Sequence, residues 1–60
     1  MQELVTLVAH KKAHRIQELA ERMGRAYVQG DWTQVAVLAF QMADENMELG
    51  ELADRIAAAA

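Results

Sequence analysis

Gln29-Gly30-Asp31-Trp32-Thr33-Gln34 holds the clearest break in the chain. Glycine suits the left-handed residue that ends a helix. The aspartate after it suits an N-cap, whose carboxylate accepts a hydrogen bond from a free amide of the next turn. Gln34 stands three residues beyond Asp31, where a capping-box partner belongs. One helix therefore stops at this point and another starts.

Outward from the break, both flanks read as helix. Proline is absent, and Ala, Leu, Glu, Gln, Arg and Met dominate, all strong helix formers. Gly24 and Gly50 lie inside helical patterns without turn-forming neighbours, and each costs about 1 kcal/mol relative to alanine. The expected elements are helix 1 over about 2–29, a turn at 30–31 and helix 2 over about 31–58, in one domain spanning residues 1–60. Each rod should run about 42 Å.

Apolar spacing predicts how the rods meet. Positions 5, 9, 12, 16, 19, 23 and 26 of helix 1 step by four and three, giving Val, Ala, Lys, Ile, Leu, Met and Ala. A matching seam in helix 2 runs through 35, 39, 42, 46, 49, 53 and 56: Val, Ala, Met, Asn, Leu, Ala and Ile. A connection this short requires antiparallel neighbours. Folding at Gly30-Asp31 sets Met23 opposite Ala39, Ile16 opposite Asn46 and Lys12 opposite Leu49. Lys12 and Asn46 are the polar members of the seam. Such residues fix register or oligomeric state, or they snorkel to water at its edge.

Charge agrees with this pairing. Residues 1–30 hold five basic and three acidic groups, and residues 31–60 hold one basic and six acidic. The hairpin brings Lys11, Lys12 and Arg15 level with Glu45, Glu48 and Glu51. Exposed pairs of this kind contribute under about 1 kcal/mol each, but they select one register over others.

The 60 residues carry a formal charge of −3 and are 53% apolar, with neither cysteine nor serine. That excludes a disulfide framework, a cysteine zinc site and a serine or cysteine nucleophile. The apolar fraction is too high for a disordered tail. The longest apolar run, Val35 to Phe40, is far short of the roughly 20 residues of a membrane span. Met1-Gln2-Glu3 lacks the positive end of a signal peptide. A cytoplasmic, non-membrane protein is the expectation.

Helix 2 carries a second apolar row at Ala36, Phe40, Ala43, Met47, Gly50 and Ala57, and Leu4, Leu7 and Val8 widen the apolar arc of helix 1. Two rods touch along one stripe, so these rows would face water. Chains this short gain stability from disulfides, metals or association. A homodimer closing a four-helix bundle is the simplest solution. The candidate dimer or partner surface is Ala36, Phe40, Ala43, Met47, Trp32 and Tyr27. Trp32 serves as a partner anchor if exposed, or as a cap on the bundle end if covered.

Residues 20–43 resemble a tetratricopeptide repeat. Met23-Gly24-Arg25-Ala26-Tyr27 is similar to the family's Leu-Gly-x-x-Tyr, with Met for Leu. Ala36, Phe40 and Ala43 follow at the family's spacing, and Gly30-Asp31-Trp32 resembles its Gly-Asp-Tyr turn. The turn glycine comes one position early, and the leading Trp and closing Pro of the repeat are missing. The resemblance implies a tight helical hairpin in which Gly24 admits Ala36, and it implies protein binding.

Other constellations carry less. His10 and His14, with Glu18 continuing the row, share a helix face and are the metal-ligand candidates. Lys11, Lys12 and Arg15 beside them repel a cation, and Lys11 stands where the zincin motif needs glutamate. No metal or other cofactor is expected. Lys11, Lys12, Arg15 and Arg22 form a basic stripe, which gives the alternative function, a hairpin dimer binding RNA. A pI near 5.1 and the lack of interleaved aromatics disfavour that alternative. No nucleophile–base pair is visible, so no enzyme is expected. The leading expectation is a non-catalytic protein–protein interaction module: an adaptor, inhibitor or regulatory subunit, paired with itself, with another protein, or with both.

Overall fold

The computed structural model describes residues 2–60; Met1 lies outside the described residues. The chain is an all-α antiparallel hairpin of α1 (Gln2–Val28) and α2 (Trp32–Ala59) packed against each other. Its Cα trace measures 43 × 14 × 12 Å, in line with rods of this length. No described helix is long and apolar enough to cross a membrane.

The turn follows from its residues. Gly30 takes φ +71°, a left-handed conformation that glycine adopts without strain. Its N–H donates to the Tyr27 carbonyl at 3.0 Å, and the Asp31 N–H donates to the Ala26 carbonyl at 2.9 Å. These two bonds make a Schellman motif, which satisfies carbonyls orphaned at the end of α1. The Asp31 carboxylate then accepts from the Gln34 N–H at 3.2 Å and caps α2. Because the Asp31 N–H is committed to Ala26, the N-cap and the Schellman bond interlock. Helix 1 ends one residue earlier than expected and helix 2 starts at Trp32.

On α1 the expected seam is observed, with Thr6 and Ala13 half-buried beside it. Val5, Ala9, Lys12, Ile16 and Met23 are half-buried, and Leu19 and Ala26 are buried. On α2 the seam is corrected. Val35, Met42, Leu49 and Ile56 face the partner as expected, but Leu38, Glu45 and Leu52 are covered there, while Ala39, Asn46 and Ala53 are exposed. At about 100° per residue, this is a rotation of the contact face by roughly 40°. Size explains the choice. Burying a leucine contributes about 2 kcal/mol more than burying an alanine, and the seam gains two leucines. Asn46 is thus not a seam residue, and its expected layer with Ile16 does not form.

The expected use of Gly24 also fails. Gly24 and Ala36 are both exposed, and a Cβ built on Gly24 would meet nothing within 4 Å. The rods do not approach each other there.

Candidate interaction surface

Lys12 sits in the seam with its stem half-covered, as a long cationic side chain can. Its ammonium lies 3.4 Å from a Glu45 oxygen and 2.5 Å from a Glu48 oxygen. The hydrogen bond to Glu48 is the main reason its pKa lies above the ordinary 10.5. Partial burial opposes that shift, and the charges of Glu45 and Glu48 add to it. Of the three cations expected to meet the acids of helix 2, Lys12 is the one that closes onto α2 among the described residues. Lys11, Arg15 and Arg22 are exposed. The basic stripe therefore lacks its central member, whose charge is turned inward against two carboxylates.

His14 Nε2 lies 3.6 Å from Glu18 Oε1, an ionic contact only when the imidazole is protonated. His10 is exposed one turn away. No cluster among the described residues could hold a metal ion, and no pocket opens among them.

The sequence-predicted surface residues share one property: all lie open to water. Ala36, Phe40, Ala43 and Met47 are exposed along α2, with Phe40 at 74% and Met47 at 66%. Helical geometry places this row on the side of α2 turned away from α1, since the seam runs through 38, 42, 45, 49 and 52. Gly50 continues the row. Ala39, Asn46 and Ala53 fill the strip between this row and the seam, and apart from Asn46 that strip is apolar, while Asp44, Glu48, Glu51 and Arg55 keep the remaining side polar. The apolar arc of α2 is therefore wider than one neighbouring helix covers.

Trp32 and Tyr27 mark the turn end of the same surface. Their rings meet edge to face, with centroids 5.6 Å apart at 90°, a favoured aromatic geometry. Both stay largely exposed, Trp32 at 63%. Trp32 thus takes the exposed alternative; its ring contact is with Tyr27, and it is not buried as a cap. A second apolar group, Leu4, Leu7 and Val8, is exposed near the start of α1.

Two features of this surface depart from the sequence expectation: Ala39 and Ala53 lie outside the core, and Glu45 lies in the seam. The size of Leu38 and Leu52 relative to their alanine neighbours was the signal available. Among known proteins, the chain matches no family model, no curated protein and no solved structure.

Proposed function

We propose that the chain is a non-catalytic protein–protein interaction module, an adaptor, inhibitor or regulatory subunit, that works as a pair of hairpins in a four-helix bundle in the cytoplasm. The observation that carries this reading is the exposed apolar row of α2, headed by Phe40 and Met47. Large apolar side chains set contiguously on a surface mark an interaction site more often than they serve a solitary molecule. The resemblance of residues 20–43 to a protein-binding helical repeat points the same way. The RNA-binding alternative is weakened by the loss of Lys12 to Glu45 and Glu48, since a phosphate would have to compete with two carboxylates already in place.

Two measurements test the reading. Light scattering on the purified chain should give a monodisperse dimer. Capture from its native cells, followed by mass spectrometry, should return a stoichiometric protein that survives nuclease. A dimer whose co-purifying material is nuclease-sensitive RNA would overturn the reading in favour of the alternative, and a solitary hairpin at high concentration would overturn the pairing that both readings share.

A further inference from the structure

We infer that two copies of the hairpin stack through a broad, uncharged face built by both helices, antiparallel, with Asn46 of each copy against Asn46 of the other and Trp32 of each over Ala60 of the other. This rests on the self-pairing reading above and adds to it the face, the direction and the register.

Two side-chain contacts tell the broad faces apart. Both seams repeat every seven residues, so a strip beside a seam keeps its place along the rod. Lys12 reaches Glu48 across one side of the seam. On that side Arg15 and Arg22 run along α1, and Glu48 and Arg55 run along α2. Tyr27 meets Trp32 across the other side. Seven-residue steps from Tyr27 lead to Ala20 and Ala13 on α1. The same steps from Trp32 lead to Ala39, Asn46, Ala53 and Ala60 on α2. Neither strip holds a charged residue, and Ala20, Ala39, Asn46 and Ala53 are exposed. One broad face is thus ionic and the other neutral. Both rods contribute to the neutral face, so covering it with the same face of a second hairpin closes a four-helix bundle.

The neutral face matches itself. A two-fold axis between stacked hairpins must cross both rods at one height. Lys12 contacts Glu45 and Glu48, so Asn46 is level with Ala13, and one axis passes both. Ala39 then faces Ala53 of the second copy, and Asn46 faces its own mate. A carboxamide both donates and accepts, so the two Asn46 side chains satisfy each other where water is excluded. Stacking with the turns side by side would set Asn46 against Ala13 and bury its amide without a partner, at a cost. Alanines let facing rods approach closely. Trp32, 63% exposed in the hairpin, supplies the large apolar surface and lands on the small C-terminal residues of the second copy. Tyr27 falls beyond the start of the second α1 and needs no room there.

Charge favours a second copy over a charged partner. The neutral face gives a phosphate or an ionic side chain nothing to pair with, and its own duplicate brings no ion to desolvate. Asp44, Glu48 and Glu51 lie toward the ionic face, so stacking does not set them against each other. The row of Phe40 and Met47 stays on the outside of the bundle, open to another protein.

The test is sedimentation equilibrium of the full chain and three variants, with helicity and the emission of Trp32, the chain's one tryptophan, followed on dilution. As the parent dimer separates, Trp32 emission should move to longer wavelength. Ala39→Glu with Ala53→Glu sets like charges face to face and should weaken the dimer by about tenfold or more, a loss of about 1.4 kcal/mol, while the helices persist. Ala39→Glu with Ala53→Lys sets opposite charges together and should bind at least about tenfold more tightly than the first variant. The two positions are about 21 Å apart within one helix, so that difference arises across copies. Gln41→Glu, on the ionic face, should leave the dimer unchanged. A monomeric parent chain would end both this inference and the self-pairing reading. A dimer that tolerates both glutamates, or that weakens as much with Gln41→Glu, or whose Trp32 emission ignores dilution, would overturn the inference and leave that reading standing. A glutamate–lysine variant no tighter than the two-glutamate one would overturn the antiparallel register.

Discussion

The two halves of the hairpin are built differently. Leu19, Ala26 and Leu38, the buried residues among those described, all lie in the half nearer the turn. The open half has Val5, Ala9, Leu49, Leu52 and Ile56 only half-buried, with the Lys12 ion pairs between. The seam residues explain the contrast. Leu19 and Leu38 are the large buried side chains near the turn, whereas Lys12 takes a seam position in the open half and, with Glu45 and Glu48, keeps that stretch partly wet. The longer loops closed at the open end add only about 1 kcal/mol. The far half relies on partial burial and a cation held by two carboxylates. Amide exchange should be slowest around Leu19 and Leu38 and should quicken toward Val5 and Ile56, because local opening follows buried contact. Uniform protection along both rods would remove the distinction.

The largest effect should come from breaking the dry half. Leu19→Ala should destabilise the fold by about 2–5 kcal/mol, measured by denaturant unfolding at fixed protein concentration. Leu49→Ala, on the half-buried seam of the open end, should cost roughly half as much. Equal losses would mean that the two halves are packed alike. The turn comes next. Gly30→Ala places a side chain at φ +71° and should cost about 1–2 kcal/mol. Asp31→Ala removes the cap on Gln34 and should cost about 1 kcal/mol. Both changes should speed amide exchange in the turn-proximal half before the open half.

Much of this was legible in the residues because the deciding chemistry is local. Gly30 and Asp31 fix the reversal by backbone conformation and capping, and both can be read without knowing the fold. The α1 seam was readable because charged and amide residues fill much of the rest of that helix. The α2 seam was not, because Leu38 and Ala39 are both apolar, as are Leu52 and Ala53. Where the apolar arc of a helix is wider than one neighbour covers, periodicity cannot say which side meets the neighbour. Side-chain volume decides, and volume acts only once a neighbour is in place. The same ambiguity concealed Gly50. Its cost to the helix was visible in the sequence, but its position in open space on the outward row follows only from the packed hairpin.

The smallest effect belongs to the polar layer of the open half, and its sign is fixed. Lys12 holds its proton more tightly when folded than when unfolded, because Glu48 and Glu45 favour the ammonium. A raised folded-state pKa stabilises fully below the unfolded value, near 10.5, and that stabilisation is lost as pH rises through the folded value. Thermal unfolding should therefore show a small loss of stability above pH 10.5 that is absent in Lys12→Met. Much of the contact is exposed, since Glu48 keeps 55% of its side chain in solvent, so salt should shrink the difference. Lys12→Met keeps an apolar stem in the seam and leaves two carboxylates without their cation. If that variant matches the parent at neutral pH, packing alone holds the open half and the ion pairs only set its register. If it opens the far ends to exchange while Leu19 stays protected, the charge layer is what keeps the second half closed.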